Sequence, residues 1–198
     1  FGFNAGSALA ANGGAAQAFV NTFIAGAAGM VAWMIVEMAK TGKVSTIGMA
    51  SGVVAALVAI TPAAGFVGSM HSFVFGALAG IICFFAVEAK FRFGFDDSLD
   101  VVGIHLVGGI VGGVLLGFMA DSSAVPGGDF IDGVFFGGGI LLWNQVLSIA
   151  VVAGFSFIAT YIIAKIMDRT IGLRVTEDTE MAGLDASDHG EAAYVMEP

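Results

Sequence analysis

The chain has 198 residues, of which 58% are hydrophobic and 12% charged, with a net charge of −9 and a mean hydropathy of +0.94. That balance excludes a soluble domain and implies an all-α polytopic membrane protein, because so much apolar surface needs lipid or protein around it. Seven basic residues against sixteen acidic ones offer no surface for nucleic acid, and a single cysteine, Cys83, excludes an intrachain disulfide and a CxxC metal site.

Residues 1–12 read as the end of a truncated transmembrane helix. The opening Phe-Gly-Phe-Asn-Ala-Gly-Ser lacks the basic start of a signal peptide, and half a helix cannot cross a bilayer, so the chain is expected to be the C-terminal part of something longer. Phe1, Phe3, Asn4 and Ser7 would sit at an interface, as anchors or as the frame of a cation site. Apolar runs at 15–38, 44–60, 70–87, 99–120 and 130–167 predict five spans within 13–168. Thr61-Pro62 closes the second run, where the proline is expected to hold Thr61 out of helical geometry. His71 falls at the edge of the third run and reads as an interface residue. Cys83 reads as a small buried hydrophobe.

The fourth run carries the most information. Asp96-Asp97-Ser98-Leu99-Asp100 makes an acidic helix start, and an uninterrupted apolar stretch comes next with His105 inside it. An ionisable side chain within the bilayer costs on the order of 2.5 kcal/mol or more unless it faces protein or a water-lined path. Val101, His105, Gly109, Gly113 and Gly117 form one helical stripe, which predicts a face packed on protein. His105 then lines a pore or pocket, or is a structural histidine bonded to a neighbouring helix.

The fifth run would be about 57 Å long if wholly helical, against roughly 30 Å of hydrocarbon, so it must tilt or break. Gly137-Gly138-Gly139 is the expected break point or a close helix crossing. Small residues four apart, such as Gly48 and Gly52 or Gly76 and Gly80, mark helix contact faces. Residues 169–198 read as a polar tail, with seven acids and no base after Arg174; on composition this is a disordered, solvating segment. Ser187 is a candidate phosphorylation site within it.

Every lysine and arginine falls at alternate ends of the spans: Lys40 and Lys43, then Lys90 and Arg92, then Lys165, Arg169 and Arg174. The intervening loops at 61–68 and 121–132 hold none. The positive-inside rule therefore predicts a cytoplasmic C-terminus.

Four stretches of the chain resemble the ammonium transporter (Amt) family. Phe1-Gly2-Phe3-Asn4-Ala5-Gly6-Ser7 looks like the end of the family's sixth helix, and Ala50-Ser51-Gly52-Val53 through Thr61-Pro62-Ala63-Ala64-Gly65 like its eighth. Asp96-Asp97-Ser98-Leu99-Asp100 through His105-Leu106-Val107-Gly108-Gly109 looks like the start of its tenth. Gly172-Leu173-Arg174, Gly183-Leu184-Asp185 and His189-Gly190-Glu191-Ala192-Ala193-Tyr194 look like its cytoplasmic tail.

The resemblance implies the second inverted repeat of an eleven-helix fold, helices six to eleven, with the overlong last run as the family's oblique helix. It implies a homotrimer in the cell (plasma or inner) membrane with one pore per subunit, no cofactor and no metal. By position, His105 matches one of the paired pore histidines, Val101 and Thr61 pore-lining positions, Phe3 an outer-gate phenylalanine and Ser7 the hydroxyl that helps recruit ammonium. Asp185, His189, Gly190 and Tyr194 match a regulatory tail on which a PII signalling protein docks. The implied activity is recruitment of ammonium and conduction of ammonia through a hydrophobic pore with a histidine pair and proton relay, half of which comes from the missing N-terminal half. An ammonium sensor or Rhesus-type gas channel, or a non-conducting regulatory membrane subunit, are the alternatives. No nucleophile and base at working spacing suggest an enzyme.

Overall fold

A computed structural model describes residues 1–191 of the chain. Its helices are α1 (Gly13–Thr41), α2 (Thr46–Ile60), α3 (Ser69–Phe93), α4 (Val107–Met119), α5 (Gly139–Thr170) and the short α6 (Glu177–Ala182), with no strand among the described residues. A π-helical turn, Val102–Leu106, leads directly into α4. Phe1–Ala150 form one compact unit and the chain from Val151 onward a second, with α5 passing from one to the other.

Helix ends follow local chemistry. Asn12 accepts from the Ala15 N–H at 2.9 Å to start α1, and Ser45 accepts from the Gly48 N–H at 2.9 Å to start α2, filling donors that a first turn leaves orphaned. Glu37 in turn accepts from the Ser45 hydroxyl at 2.7 Å, so the last turns of α1 hold the start of α2. α1 and α3 end on Gly42 and Gly94 with φ of 73° and 67°, left-handed caps that a side chain would strain.

The first four helices pack through small residues, as membrane helices do when lipid gives no hydrophobic drive toward association. A Cβ on Gly80 would lie 2.5 Å from the Gly29 carbonyl oxygen, and one on Gly76 would strike the Ala25 backbone, so α1 and α3 run side by side in parallel. Gly52 stands over Trp33 and the Gly29 carbonyl, Gly108 over Ala55, and Gly112 against Ala59. Gly113 and Gly117 meet Ile149 and Leu142 of α5. Around these crossings Trp33, Ala55, Cys83, Phe84 and Ile104 form one core, with Trp33 edge-on to Phe84 at 5.3 Å; Ala25, Ile60, Phe75 and Leu116 belong to another.

Three expectations change in detail. Among the described residues four helices are long and apolar enough to cross a membrane, while α2 has only 15 residues, about 22 Å at helical rise. The chain continues from it through turns that α1 satisfies: the Asn21 amide, fully buried, donates to the Ala64 and Val67 carbonyls at 2.8 and 2.7 Å. Thr61 is right-handed helical despite Pro62, with φ −51° and ψ −48°. Its N–H and hydroxyl both donate to the Leu57 carbonyl, at 3.2 and 2.7 Å, and that pairing overrides the steric bias against helix before proline. Finally, α5 begins only at Gly139. Residues 130–138 form a loop with a single 3₁₀ turn, Val134–Phe136, closed by Gly137 at φ 95°. A Cβ on Gly138 would overlap the Asp132 carbonyl oxygen, so the triple glycine is the break. The 32 residues of α5 still span about 48 Å, more than a perpendicular crossing needs.

Candidate pore site

His105 lies within the π-helical turn, whose wide ring is closed by the Val107 N–H donating to the Val102 carbonyl. Such turns are rare and concentrate at functional sites. On one side of the turn Gly103 presses on α3, where an added Cβ would stand 2.9 Å from the Val87 nitrogen, and Ile104 enters the core beside Cys83. On the other side His105, Val101 and Leu106 are exposed. The expected stripe therefore divides. Gly113 and Gly117 pack on α5, whereas a Cβ on Gly109 would meet nothing within 4 Å, and among the described residues of the first unit no helix covers His105.

The acidic residues ahead of the turn have specific work. The two carboxylate oxygens of Asp97 accept from the Val101 and Val102 N–H groups, each at 2.9 Å, which caps the helix start and places negative charge where the dipole favours it. The motif announced an acidic start; which carboxylate caps it emerges only from the turn's geometry.

The residues matched to the outer mouth gather at the opposite end of the bundle. Phe3 is 92% exposed, and the Ser7 hydroxyl donates to the Phe3 carbonyl. Residues 1–9 form a helical turn, with the Ala5 N–H on the Phe1 carbonyl at 2.9 Å, and then the 3₁₀ turn Gly6–Ala8. Asn4 fastens them to α1 by donating to the Thr22 hydroxyl at 2.9 Å. It is Phe1 that packs, against Phe19 at 4.5 Å, leaving Phe3 open. Since α2 and α4 run in parallel with Ala59 level with Gly112, Thr61 stands roughly 13 Å further along the axis than His105. The structure thus arranges Thr61 and His105 along one pair of helices without bringing them into contact.

The polar network that holds this end of the bundle went unseen in the sequence: Gln17 donates to Asn21 and to Ser69 at 3.2 and 3.1 Å, and Asn21 carries the 61–67 turn. The i, i+4 spacing of Gln17 and Asn21 within an apolar run was the available signal. The loops close over it, with the Asp121 N–H on the Phe66 carbonyl at 2.9 Å and Asp132 accepting from the Ser122 N–H at 2.7 Å. His71 stands beside this closure, edge-on to Phe136 at 5.4 Å.

In the tail, Thr176 caps α6 and Arg174 makes a two-pronged pair with Glu180. Asp185, His189 and Gly190 share one turn, where the Asp185 carbonyl accepts from the Gly190 and Glu191 N–H groups. The residues to Glu191 thus carry local structure of their own. Tyr194 lies outside the described residues.

A multi-pass α-helical membrane protein with a histidine exposed in a distorted turn is the class these features define. The family model described as Ammonium Transporter Family matches residues 1–194, and the chain belongs to that family. The ammonium transporter of Bacillus subtilis is 46% identical over 98% of this chain and 48% of its own length. The Candida albicans Mep2 crystal structure superposes with a TM-score of 0.83 at 38% identity, over 89% of this chain and 40% of that one. A solved structure named Sensor Amt Protein gives 0.82 at 25% identity, over 94% and 45%. The chain therefore spans about half the length of the relatives it matches, and its fold is the corresponding half of theirs.

Proposed function

We propose that this chain supplies half of an ammonium-conducting pore, the half that carries one pore histidine, with the remaining wall contributed by the other half of the family fold. The observation that carries this reading is the exposed pair Val101 and His105, with Gly109, where an added Cβ would meet nothing within 4 Å, one turn further on. Ammonium and potassium are both costly in a narrow apolar passage, but ammonium can leave its proton behind and cross as ammonia. Phe3 and Ser7 at the outer mouth would hold the cation by its charge and N–H groups, Thr61 would line the descent, and His105 would hydrogen-bond ammonia and share in proton relay. The relatives at 40–47% identity are named transporters, which favours conduction over the sensor reading.

The test is uptake of labelled methylammonium by cells without their own ammonium transporters, expressing the complete polypeptide that contains this half. Saturable uptake insensitive to potassium is expected; a membrane-inserted protein with no uptake overturns the reading.

The same reading places the protein in the cell membrane as a homotrimer with a cytoplasmic C-terminus. An apolar groove of about 530 Å³ between α1 and α3, lined by Phe23, Val31, Ile35, Phe73 and Ile81, supports further contacts within the membrane. The tail would dock a PII signalling protein through the turn at Asp185, His189 and Gly190, with Tyr194 beyond it. Deleting residues 172–198 is expected to abolish PII binding to the purified transporter while leaving methylammonium uptake in place. Full-affinity binding by the deleted form would end the docking assignment.

A further inference from the structure

We propose that Lys90, at the end of α3, is a positioning residue for His105: it fixes the register of the turn that carries the histidine. This rests on the reading of His105 as a pore residue.

The π-helical turn is a wide ring that a chain does not adopt without being held. Its entry is strained as well. Asp100 has φ 57°, one of two non-glycine residues with positive φ among those described, a conformation uncommon for a residue with a side chain, although Asp and Asn adopt it more readily than most. Lys90 meets that strain directly. Its ammonium pairs with the Asp100 carboxylate and also donates to the Asp97 carbonyl at 2.9 Å. Both side chains are withdrawn from solvent, 15% exposed for Lys90 and 25% for Asp100, so the pair is less screened than a surface one.

Lys90 is anchored where it stands: its carbonyl accepts from the Gly94 N–H at 2.8 Å, closing α3, and its ammonium lies 5.2 Å above the Phe91 ring centre. From Asp100 the strain passes straight into the turn. The Asp100 carbonyl accepts from the Ile104 N–H at 2.8 Å, and Asp97, whose own carbonyl Lys90 holds, caps Val101 and Val102. Three residues before Lys90, Val87 receives Gly103. One helix end thus grips the turn at its entry and on its buried side, and His105 emerges opposite.

Without the ammonium, Asp100 is free to leave the left-handed region and the entry to relax toward an ordinary α-helical register. Gaining or losing one residue within a turn rotates the side chains downstream of it by about 100° at 3.6 residues per turn. That is enough to carry an imidazole off the pore face.

The test uses the complete transporter in bilayers, with histidine-selective nitrogen NMR of His105 (assigned by its loss in His105→Gln) and methylammonium uptake side by side. In Lys90→Met the His105 imidazole resonances should move, and the maximal uptake rate should fall at least about tenfold, the scale of a misplaced reacting group, with KM little changed because the outer mouth is remote. Lys90→Arg should restore both. Asp100→Ala, which removes the acceptor and disfavours positive φ, should move the resonances as Lys90→Met does, and it decides the matter if Lys90→Met does not accumulate. Unmoved His105 resonances in these variants overturn the proposal whatever the uptake. Moved resonances with undiminished uptake leave the positioning role standing and instead remove His105 from conduction.

Discussion

Replacing His105 with alanine in the complete transporter is expected to abolish selective ammonium uptake, either stopping methylammonium flux or letting potassium accompany it. The histidine is the one ionisable side chain between Asp100 and Asp121, in an apolar run where an unneeded ionisable group would be costly. In the proposed pore its ring offers the hydrogen bonds that deprotonated ammonia gives up on leaving water. Removing it leaves a hydrophobic conduit with no polar station, so the transfer cost of ammonia rises or water enters and carries ions. The geometry makes this substitution clean. The side chain is exposed within the chain, so truncation opens no core cavity, and Ile104 and Gly103 keep the turn seated on α3. Normal amounts of folded protein with lost or unselective uptake is the expected pairing, read by labelled methylammonium flux with and without potassium. Selective uptake at the wild-type rate would remove His105 from the mechanism.

Much of the fold was legible because the bilayer imposes a length on apolar runs. The runs at 15–38, 44–60 and 70–87 fall within or nearly within α1, α2 and α3, since lipid leaves no choice but helix for such stretches. The candidate site was legible for a similar reason: an intramembrane histidine after an acidic start stands out against its surroundings. What was not legible depended on contacts between distant segments. Nothing in Val102-Gly103-Ile104-His105-Leu106 distinguishes a π-helical turn from an α-helical one, because the wide ring is held by Lys90, ten residues ahead of Asp100, and by the press of Gly103 on Val87. The proline rule failed at Thr61 because two hydrogen bonds to Leu57 decide the geometry there. Asn21, read as part of an apolar run, proved to hold the turn after α2.

The glycine pattern shows the same limit and leads to the second large effect: Gly29→Leu is expected to prevent the protein from folding in the membrane. Four-residue spacing picked out Gly76 with Gly80 and Gly48 with Gly52, but Gly29 has no glycine four away and drew no notice. In the structure it is the junction of three helices. A Cβ there would overlap the Ala56 side chain and stand 2.6 Å from the Gly52 carbonyl oxygen and 3.1 Å from that of Gly76. Two of those neighbours are backbone and cannot swing aside, so α2 and α3 would both have to move away from α1. That separation would forfeit the van der Waals contact on which membrane helix association rests. Even Gly29→Ala should cost at least the 1–3 kcal/mol typical of overpacking, with Leu beyond what a bundle of marginal stability absorbs. Gly65→Ala supplies the control, since a Cβ at Gly65 meets nothing within 4 Å. Size-exclusion profiles and thermal denaturation of the detergent-purified proteins would then rank Gly65→Ala with wild type, Gly29→Ala well below it, and Gly29→Leu as aggregated or absent. A monodisperse Gly29→Leu of wild-type stability would mean that α1 does not meet α2 and α3 at this glycine.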